Sequence, residues 1–320
     1  MSTQMHAAVL HGTGQAPRYE LFPAPEAGDG QAVVTVTAAA LKPSDRWMAR
    51  GVHYAPASFP QVAGLDGIGR LPDGCRVGFF GLQPPYGGMA EQTLVAAGRW
   101  LPVPDGTDDV TAAAIMNPGG AAWKTIMIEG QLAAGQTVLV LGATGTSGRI
   151  AAQLAIRRGA RVVVAGRTQR VLDELVARGA DTAIRVDQPR AQLAAEFAAA
   201  GPYHLIADYL WGQPAESLFA ALTRPASGPA PELTRYILVG MTAGSEARLP
   251  AIALRAAPVQ LAGSGTGGPA TIEDAAAGFA SVLDLVAAGE ISVDVETVPL
   301  TEVEKAWAEP ASGRRVVFVP

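Results

Sequence analysis

Between residues 136 and 158 a short apolar run, a glycine-spaced turn and a helix-compatible segment follow one another without a break. No other stretch of this 320-residue chain constrains its fold as tightly. Gln136 to Leu141 reads QTVLVL, which suits a strand buried on both faces. It runs into Gly142-Ala143-Thr144-Gly145-Thr146-Ser147-Gly148. Small residues at this spacing let the backbone turn sharply, approach a bulky ligand and pack the next helix close to the sheet. A helix from Thr146 to Arg158 then turns its unpaired first-turn N–H groups and positive dipole end toward an anion. The expectation is a dinucleotide pyrophosphate held by Gly142, Thr144, Gly145, Thr146, Ser147 and Gly148. A tight strand-to-helix turn without ligand is the plain alternative.

The sequence downstream keeps the same rhythm. Strands are expected at Arg161 to Ala165, Thr182 to Val186, Tyr203 to Asp208, Arg235 to Met241 and Val259 to Ala262. Helices are expected at Thr168 to Arg178, Pro189 to Ala200 and Ile272 to Ala288. Alternation of this kind predicts βαβ units with right-handed crossovers and a parallel sheet. The segment Pro225 to Pro231 (PASGPAP) reads as a surface loop. The first 120 residues differ: a Val/Thr-rich strand at 32–39 is followed by closely spaced Gly and Pro, which leaves room for short strands and loops but not for long helices. Two more strands, Val293 to Val298 and Arg315 to Val319, close the chain.

The end of the second parallel strand distinguishes the two nicotinamide cofactors. An NAD site places a carboxylate there for the ribose 2′-hydroxyl, whereas an NADP site places arginine or a small residue. Here RVVVA leads into Gly166-Arg167-Thr168-Gln169-Arg170, with no acid before Asp173. Arg167 and Arg170, with Thr168 as a hydrogen-bond donor, are expected to hold a 2′-phosphate. Two solvated arginines are the alternative, although a helix start disfavours positive charge. NADPH is therefore the expected cofactor.

Composition narrows the rest. The formal charge of −5 disfavours a surface that coats nucleic acid. The single cysteine, Cys75, rules out an intrachain disulfide and any multi-cysteine zinc site. The first twelve residues lack a basic region followed by a long apolar one, so no signal peptide is expected. No apolar run approaches the roughly 18 residues of a membrane span, and a cytoplasmic protein without membrane attachment is expected.

Several further motifs, read in order, carry a family resemblance. They are Leu41-Lys42-Pro43-Ser44-Asp45, Phe59-Pro60-Gln61-Val62-Ala63-Gly64-Leu65-Asp66-Gly67, Gly74-Cys75-Arg76-Val77 and Gly87-Gly88-Met89-Ala90-Glu91. The glycine turn, Ile237-Leu238-Val239-Gly240 and Gly313-Arg314-Arg315-Val316-Val317 complete the set. Over nearly its whole length the chain resembles the medium-chain dehydrogenase/reductases, in their zinc-independent NADPH:quinone oxidoreductase-like branch. The resemblance implies an α/β fold: a GroES-like β-rich catalytic domain over 1–122, completed by 266–320, and an inserted Rossmann-type doubly wound parallel-sheet domain over 123–265. Zinc-dependent relatives carry a Cys where this chain has Pro43 or Ser44, a His where it has Leu65, and a four-cysteine lobe. Their pattern is absent, and His6, His11, His53 and His204 do not restore it, so no metal is expected.

The activity implied is hydride transfer from NADPH to a small quinone or α,β-unsaturated carbonyl, which needs mainly positioning of the two reactants. Lys42 and Trp47 depart from the Asn and Tyr usual in that branch. Lys42 is expected to contact cofactor or acceptor oxygen, or else to be a surface cation; Trp47 is a cleft wall or a core aromatic. Asp45 matches the family position and is expected to orient its neighbours. Tyr54 is a possible hydrogen-bond or proton donor, or an ordinary loop tyrosine. Tyr86 and Asn117 are expected to rim the cleft, with Asn117, Gly240, Met241, Gly263 and Ser264 beside the nicotinamide. The aromatic that often stacks near adenine is replaced by Val186. The segment Val259 to Ala262 is where relatives form homodimers. An enoyl-thioester reductase and a weakly catalytic NADPH-binding structural or regulatory protein remain the alternatives.

Overall fold

The computed structural model describes residues 3–52, 55–223, 233–265, 271–309 and 313–320. The chain divides into two compact units, Met1–Asn117 with Phe279–Pro320, and Pro118–Gly278.

The first unit opens with β1 (Gln4–Leu10), β2 (Arg18–Pro23), β3 (Gln31–Ala40) and a short helix, α1 (Pro43–Ala49). It continues through β4 (Gln61–Val62), β5 (Asp66–Arg70), β6 (Arg76–Phe80), β7 (Gln92–Ala96) and β8 (Trp100–Pro102). In β3 the side chains of Val34, Val36 and Ala38 alternate inward, the pattern of a strand with one buried face. Strands β2, β1 and β4 form one small sheet, and β3 is central to a larger one in which it pairs with β5 and β7.

A fifteen-residue helix, α2 (Asp109–Trp123), then leads from one unit into the other. This corrects the expectation that the first 120 residues hold no long helix. Asp108 caps the helix by accepting the Thr111 N–H at 2.8 Å, and Ala112, Ala113, Ala114, Ile115 and Met116 are all buried. That apolar run outweighs Pro118 within the helix, which removes one backbone hydrogen bond. The helix widens into a π-helical turn at Lys124–Glu129.

In the second unit the strands β9 (Thr137–Leu141), β10 (Arg161–Gly166), β11 (Thr182–Arg185), β12 (Leu205–Asp208), β13 (Thr234–Leu238) and β14 (Val259–Gly263) are all parallel. Their order is β11-β10-β9-β12-β13-β14. Between them run α3 (Thr146–Arg157), α4 (Gln169–Ala177), α5 (Arg190–Ala200), α6 (Gly212–Leu222) and α7 (Ala251–Ala256). Leu139, Val163, Ile184, Phe197, Ile206 and Tyr236 share one buried cluster. The loop expected at 225–231 lies outside the described residues.

The helix α8 (Ile272–Ala287) returns the chain to the first unit, which gains β15 (Val295–Pro299), α9 (Val303–Ala308) and β16 (Arg315–Val319). β16 pairs with β15 and with β3. The chain thus passes between the two units inside α2 and α8. Neither crossing is marked by a turn, because each lies within a continuous helix.

Candidate functional site

The six strand ends of the second unit converge on one carboxyl edge. The chain reverses its winding between the neighbours β9 and β12, and open α/β sheets bind ligands at such a switch point. β9 is buried along its whole length and ends at Gly142, whose φ of 97° favours glycine. The Gly142 and Ala143 N–H groups both donate to Ala165 O, at 2.8 and 2.9 Å, and tie the turn to β10. A Cβ on Gly148 would lie 2.3 Å from Gly142 O, so only glycine lets α3 start this close to the turn. Gly145 stands at the N-cap and brings no side chain to the helix end. The first-turn N–H groups of Thr146, Ser147 and Gly148 are therefore left for a ligand anion.

At the next strand end, a Cβ on Gly166 would meet Thr144 Cγ2 at 2.4 Å. Thr144 thus seals the end of β10, and Arg167 follows, exposed. Gly166 is in register with Arg185 on β11, so a second guanidinium stands at the adjacent strand end. Arg185 pairs with Asp187, whose carboxyl is held below its ordinary pKa by that hydrogen bond and, more weakly, by Arg167. The sequence reading missed Arg185; its one signal was its place at the tip of the third parallel strand. Arg170 is exposed on α4. It pairs with Glu174 one turn along α4, and Glu174 also accepts Arg149 Nη2 at 2.9 Å. Thr168 is exposed at the N-cap of α4.

The remaining strand ends form a polar floor. Asp208, fully buried at the tip of β12, accepts the N–H groups of Leu210 and Trp211 at 2.7 and 2.9 Å and the Tyr236 hydroxyl at 2.6 Å. Burial pushes its carboxyl above the ordinary range, and the three hydrogen bonds oppose this. After β13, the Gly240 N–H donates to Asp208 O, and a Cβ on Gly240 would lie 2.7 Å from Tyr209 O. Met241 is half-buried. At the end of β14, Gly263 is open to space, and after it Ser264 donates its N–H to Leu238 O at 2.7 Å. Among the described residues the Ser264 Oγ, the Tyr209 hydroxyl and Glu129 Oε2 are buried without a hydrogen-bond partner, while Glu129 Oε1 is ion-paired with Lys124 Nζ at 3.4 Å. Orphaned polar atoms beside a glycine cradle fit the polar nicotinamide half of a dinucleotide. Asn117 is exposed on α2.

The first unit answers the other expectations. Lys42 is neither a surface cation nor free to reach an acceptor, being only 3% exposed. Its Nζ donates to Asp66 Oδ1 at 2.7 Å and to Ala40 O at 3.1 Å, and lies 3.4 Å from Asp45 Oδ2. Burial lowers its pKa, but Asp45 and Asp66 outweigh burial and hold it above the ordinary lysine value. Asp45 accepts the backbone N–H of Lys42 at 2.7 Å and of Leu65 at 3.2 Å. Asp66 and Arg315, which the sequence reading left unassigned, complete this group; Arg315 donates to Leu41 O at 2.7 Å. Trp47 is half-buried on α1. Tyr86 packs edge-on against Phe22, ring centres 6.1 Å apart, so its ring serves a small core cluster. Tyr54 lies outside the described residues. Among the described residues no group of three His, Cys, Asp or Glu is arranged to hold a metal ion.

No family model matches the chain. It is 25% identical over 99% of its length to the probable NADPH-dependent quinone reductase tdiC of Emericella nidulans, and that alignment covers 100% of the relative. It is 30% identical to the quinone oxidoreductase of Rattus norvegicus, over 45% of each chain. Among solved structures, the quinone oxidoreductase of Thermus thermophilus, determined alone and with NADPH, matches with a TM-score of 0.80. That pair is 25% identical, with coverage of 99% of this chain and 100% of the other. Alongside the glycine cradle and the ordered motifs of the first unit, the chain is thus similar over nearly its whole length, in sequence and in fold, to quinone oxidoreductases.

Proposed function

We propose that this protein is an NADPH-dependent, zinc-independent reductase that delivers hydride to a small quinone or α,β-unsaturated carbonyl. The observation that carries the reading is the carboxyl edge of the parallel sheet. A glycine cradle there adjoins Arg167 and Arg185, where an NAD site would present a carboxylate. NADPH, when bound, supplies the hydride from its nicotinamide. The chain's own part is to bind and orient. The free N–H groups of Thr146, Ser147 and Gly148 neutralise the pyrophosphate. Arg167 pairs with the 2′-phosphate, supported by Thr168, with the neutral Arg185–Asp187 pair at the next strand tip. Gly240, Met241, Gly263 and Ser264 border the nicotinamide, with the orphaned Ser264 and Tyr209 hydroxyls as hydrogen-bonding groups.

Zinc independence rests on residue chemistry. Pro43, Ser44 and Leu65 offer no ligand where zinc-dependent relatives carry theirs, and one cysteine cannot build a structural lobe. Reduction of a conjugated acceptor needs orientation and a polar partner for the developing oxyanion more than a Lewis acid. A homodimer through β14 and a cytoplasmic location, where the exposed thiol of Cys75 stays reduced, complete the proposal. No helix among the described residues is long and apolar enough to cross a membrane.

The test follows NADPH oxidation with 1,4-benzoquinone, 9,10-phenanthrenequinone, 2-cyclohexenone and crotonyl-CoA, with and without EDTA. Quinone or enone turnover insensitive to EDTA is expected. Loss of activity on chelation would overturn the metal-free mechanism. Preference for crotonyl-CoA would point to an enoyl-thioester reductase, and no turnover at all to a cofactor-binding protein. Arg167→Ala should weaken NADPH about tenfold and leave NADH within about twofold, the loss of one exposed charge-assisted contact.

A further inference from the structure

Three oxygens surround the Lys42 ammonium: Asp66 Oδ1 at 2.7 Å, Ala40 O at 3.1 Å and Asp45 Oδ2 at 3.4 Å. They come from the end of β3, the first turn of α1 and the start of β5. Asp45 is fully buried and Asp66 is 5% exposed, so water screens neither carboxylate. An uncompensated charge in such a place is strongly destabilising. Arg315 reaches the same group from β16 and donates to Leu41 O, but its Nε is buried without a partner and no contact of hydrogen-bond length joins it to either carboxylate among the described residues. Lys42 is thus the cation in direct contact with both acids.

The same acids hold backbone. Asp45 Oδ1 accepts the Leu65 N–H at 3.2 Å, and Gly64, just before it, has a φ of 96° with its Cβ position 2.8 Å from Met89 N. Gly64-Leu65-Asp66 and Lys42-Pro43-Ser44-Asp45 are the two segments on which zinc-dependent relatives carry their ligands. In this chain an ammonium joins those segments directly.

We propose that Lys42 is a tethered internal cation, a positioning residue that fills an oxygen cage between β3, α1 and β5 and fixes the Leu65 and Pro43–Ser44 segments. It does not touch the acceptor. Once its side chain is removed, the cage is an anionic site for a small primary ammonium ion. The effect on turnover rests on the reductase reading above, whereas the effect on stability does not.

The experiment compares wild type with Lys42→Ala, Lys42→Met and the double variant Lys42→Met/Asp66→Leu. Thermal unfolding, NADPH dissociation constant and quinone KM and kcat are measured for each. Lys42→Met should lower Tm by roughly 10 °C, since it leaves Asp45 and Asp66 facing Arg315 alone, with one buried negative charge uncompensated. The double variant should recover more than about half of that loss, because it removes a stranded charge as well. If Lys42→Met does not fold, the double variant still should. Methylammonium should raise the Tm of Lys42→Ala and lower its quinone KM toward wild type, while tetramethylammonium at equal ionic strength should do neither. Quinone KM should rise about tenfold in Lys42→Met with kcat and NADPH affinity within about threefold. Equal effects of the two ammonium ions, or an unchanged Tm in Lys42→Met, would overturn the cage. Should no acceptor be turned over, the stability measurements still decide it.

Discussion

At the scale of single residues, Trp211 stands out. Its φ of 55° and ψ of −155° belong to a region where an L side chain is strained, and Gly212 after it also has a positive φ. Asp208 holds it there by accepting its N–H, and Phe219 and Tyr236 flank its ring at centre distances of 5.7 and 6.3 Å, both edge-on. This arrangement shapes the loop whose Leu210 lies over the glycine turn, 3.1 Å from where a Gly142 Cβ would be. Trp211→Ala and Trp211→Gly lose the same ring, but only glycine relieves the backbone. Trp211→Gly should therefore be the more stable of the two by about 1–2 kcal/mol, or a few degrees in Tm. An alanine variant as stable as the glycine one would show that no strain is stored there.

Elements carry different predictions. The approach of α3 to its turn rests on Gly148, where even a methyl group would collide with Gly142 O. Gly148→Ala should raise the NADPH dissociation constant more than about tenfold while leaving far-ultraviolet circular dichroism unchanged, because only the ligand end of the helix is displaced. Retained affinity would dissociate the cradle from phosphate binding. At the other end of the sheet, β14 pairs with β13 alone among the described residues, and Leu261 on it is 39% exposed. Ile252 and Leu254 on the neighbouring α7 are exposed as well. An apolar edge of this kind invites strand addition by a second copy. Light scattering should give a dimer for wild type and a monomer for Leu261→Arg; the same mass for both would sink the proposed interface.

For the whole molecule, the proposed cofactor-phosphate site and the buried charge cluster belong to different units. Adding 2′,5′-ADP, which carries the 2′-phosphate without the nicotinamide, should slow amide hydrogen exchange at 142–148, 166–168 and 185–187. The strands of the first unit should be unaffected. Protection spread evenly over both units would contradict this division. At saturation near 100 times the dissociation constant, the ligand should add about 2.7 kcal/mol of stability to the unit that binds it.

What the sequence determined by itself is what local pattern encodes. β9, β10 and β11, the glycine turn and α3 were legible within a residue or two, since strand burial, turn chemistry and helix periodicity act between near neighbours in the chain. So was the missing carboxylate after β10. The tertiary structure decided everything that depends on distant residues meeting. Pro118 lies inside α2 and is followed by two glycines, yet burial of the preceding apolar run carries the helix through them. Lys42 read as a contact to cofactor or acceptor, or else as a surface cation, because its partner Asp66 lies 24 residues on and Arg315 near the far end of the chain. Arg185 stands opposite Gly166 only because β11 lies beside β10. An ammonium on its own is as much a surface charge as a buried one. The carboxylates brought around it decide which, and no local pattern records their arrival.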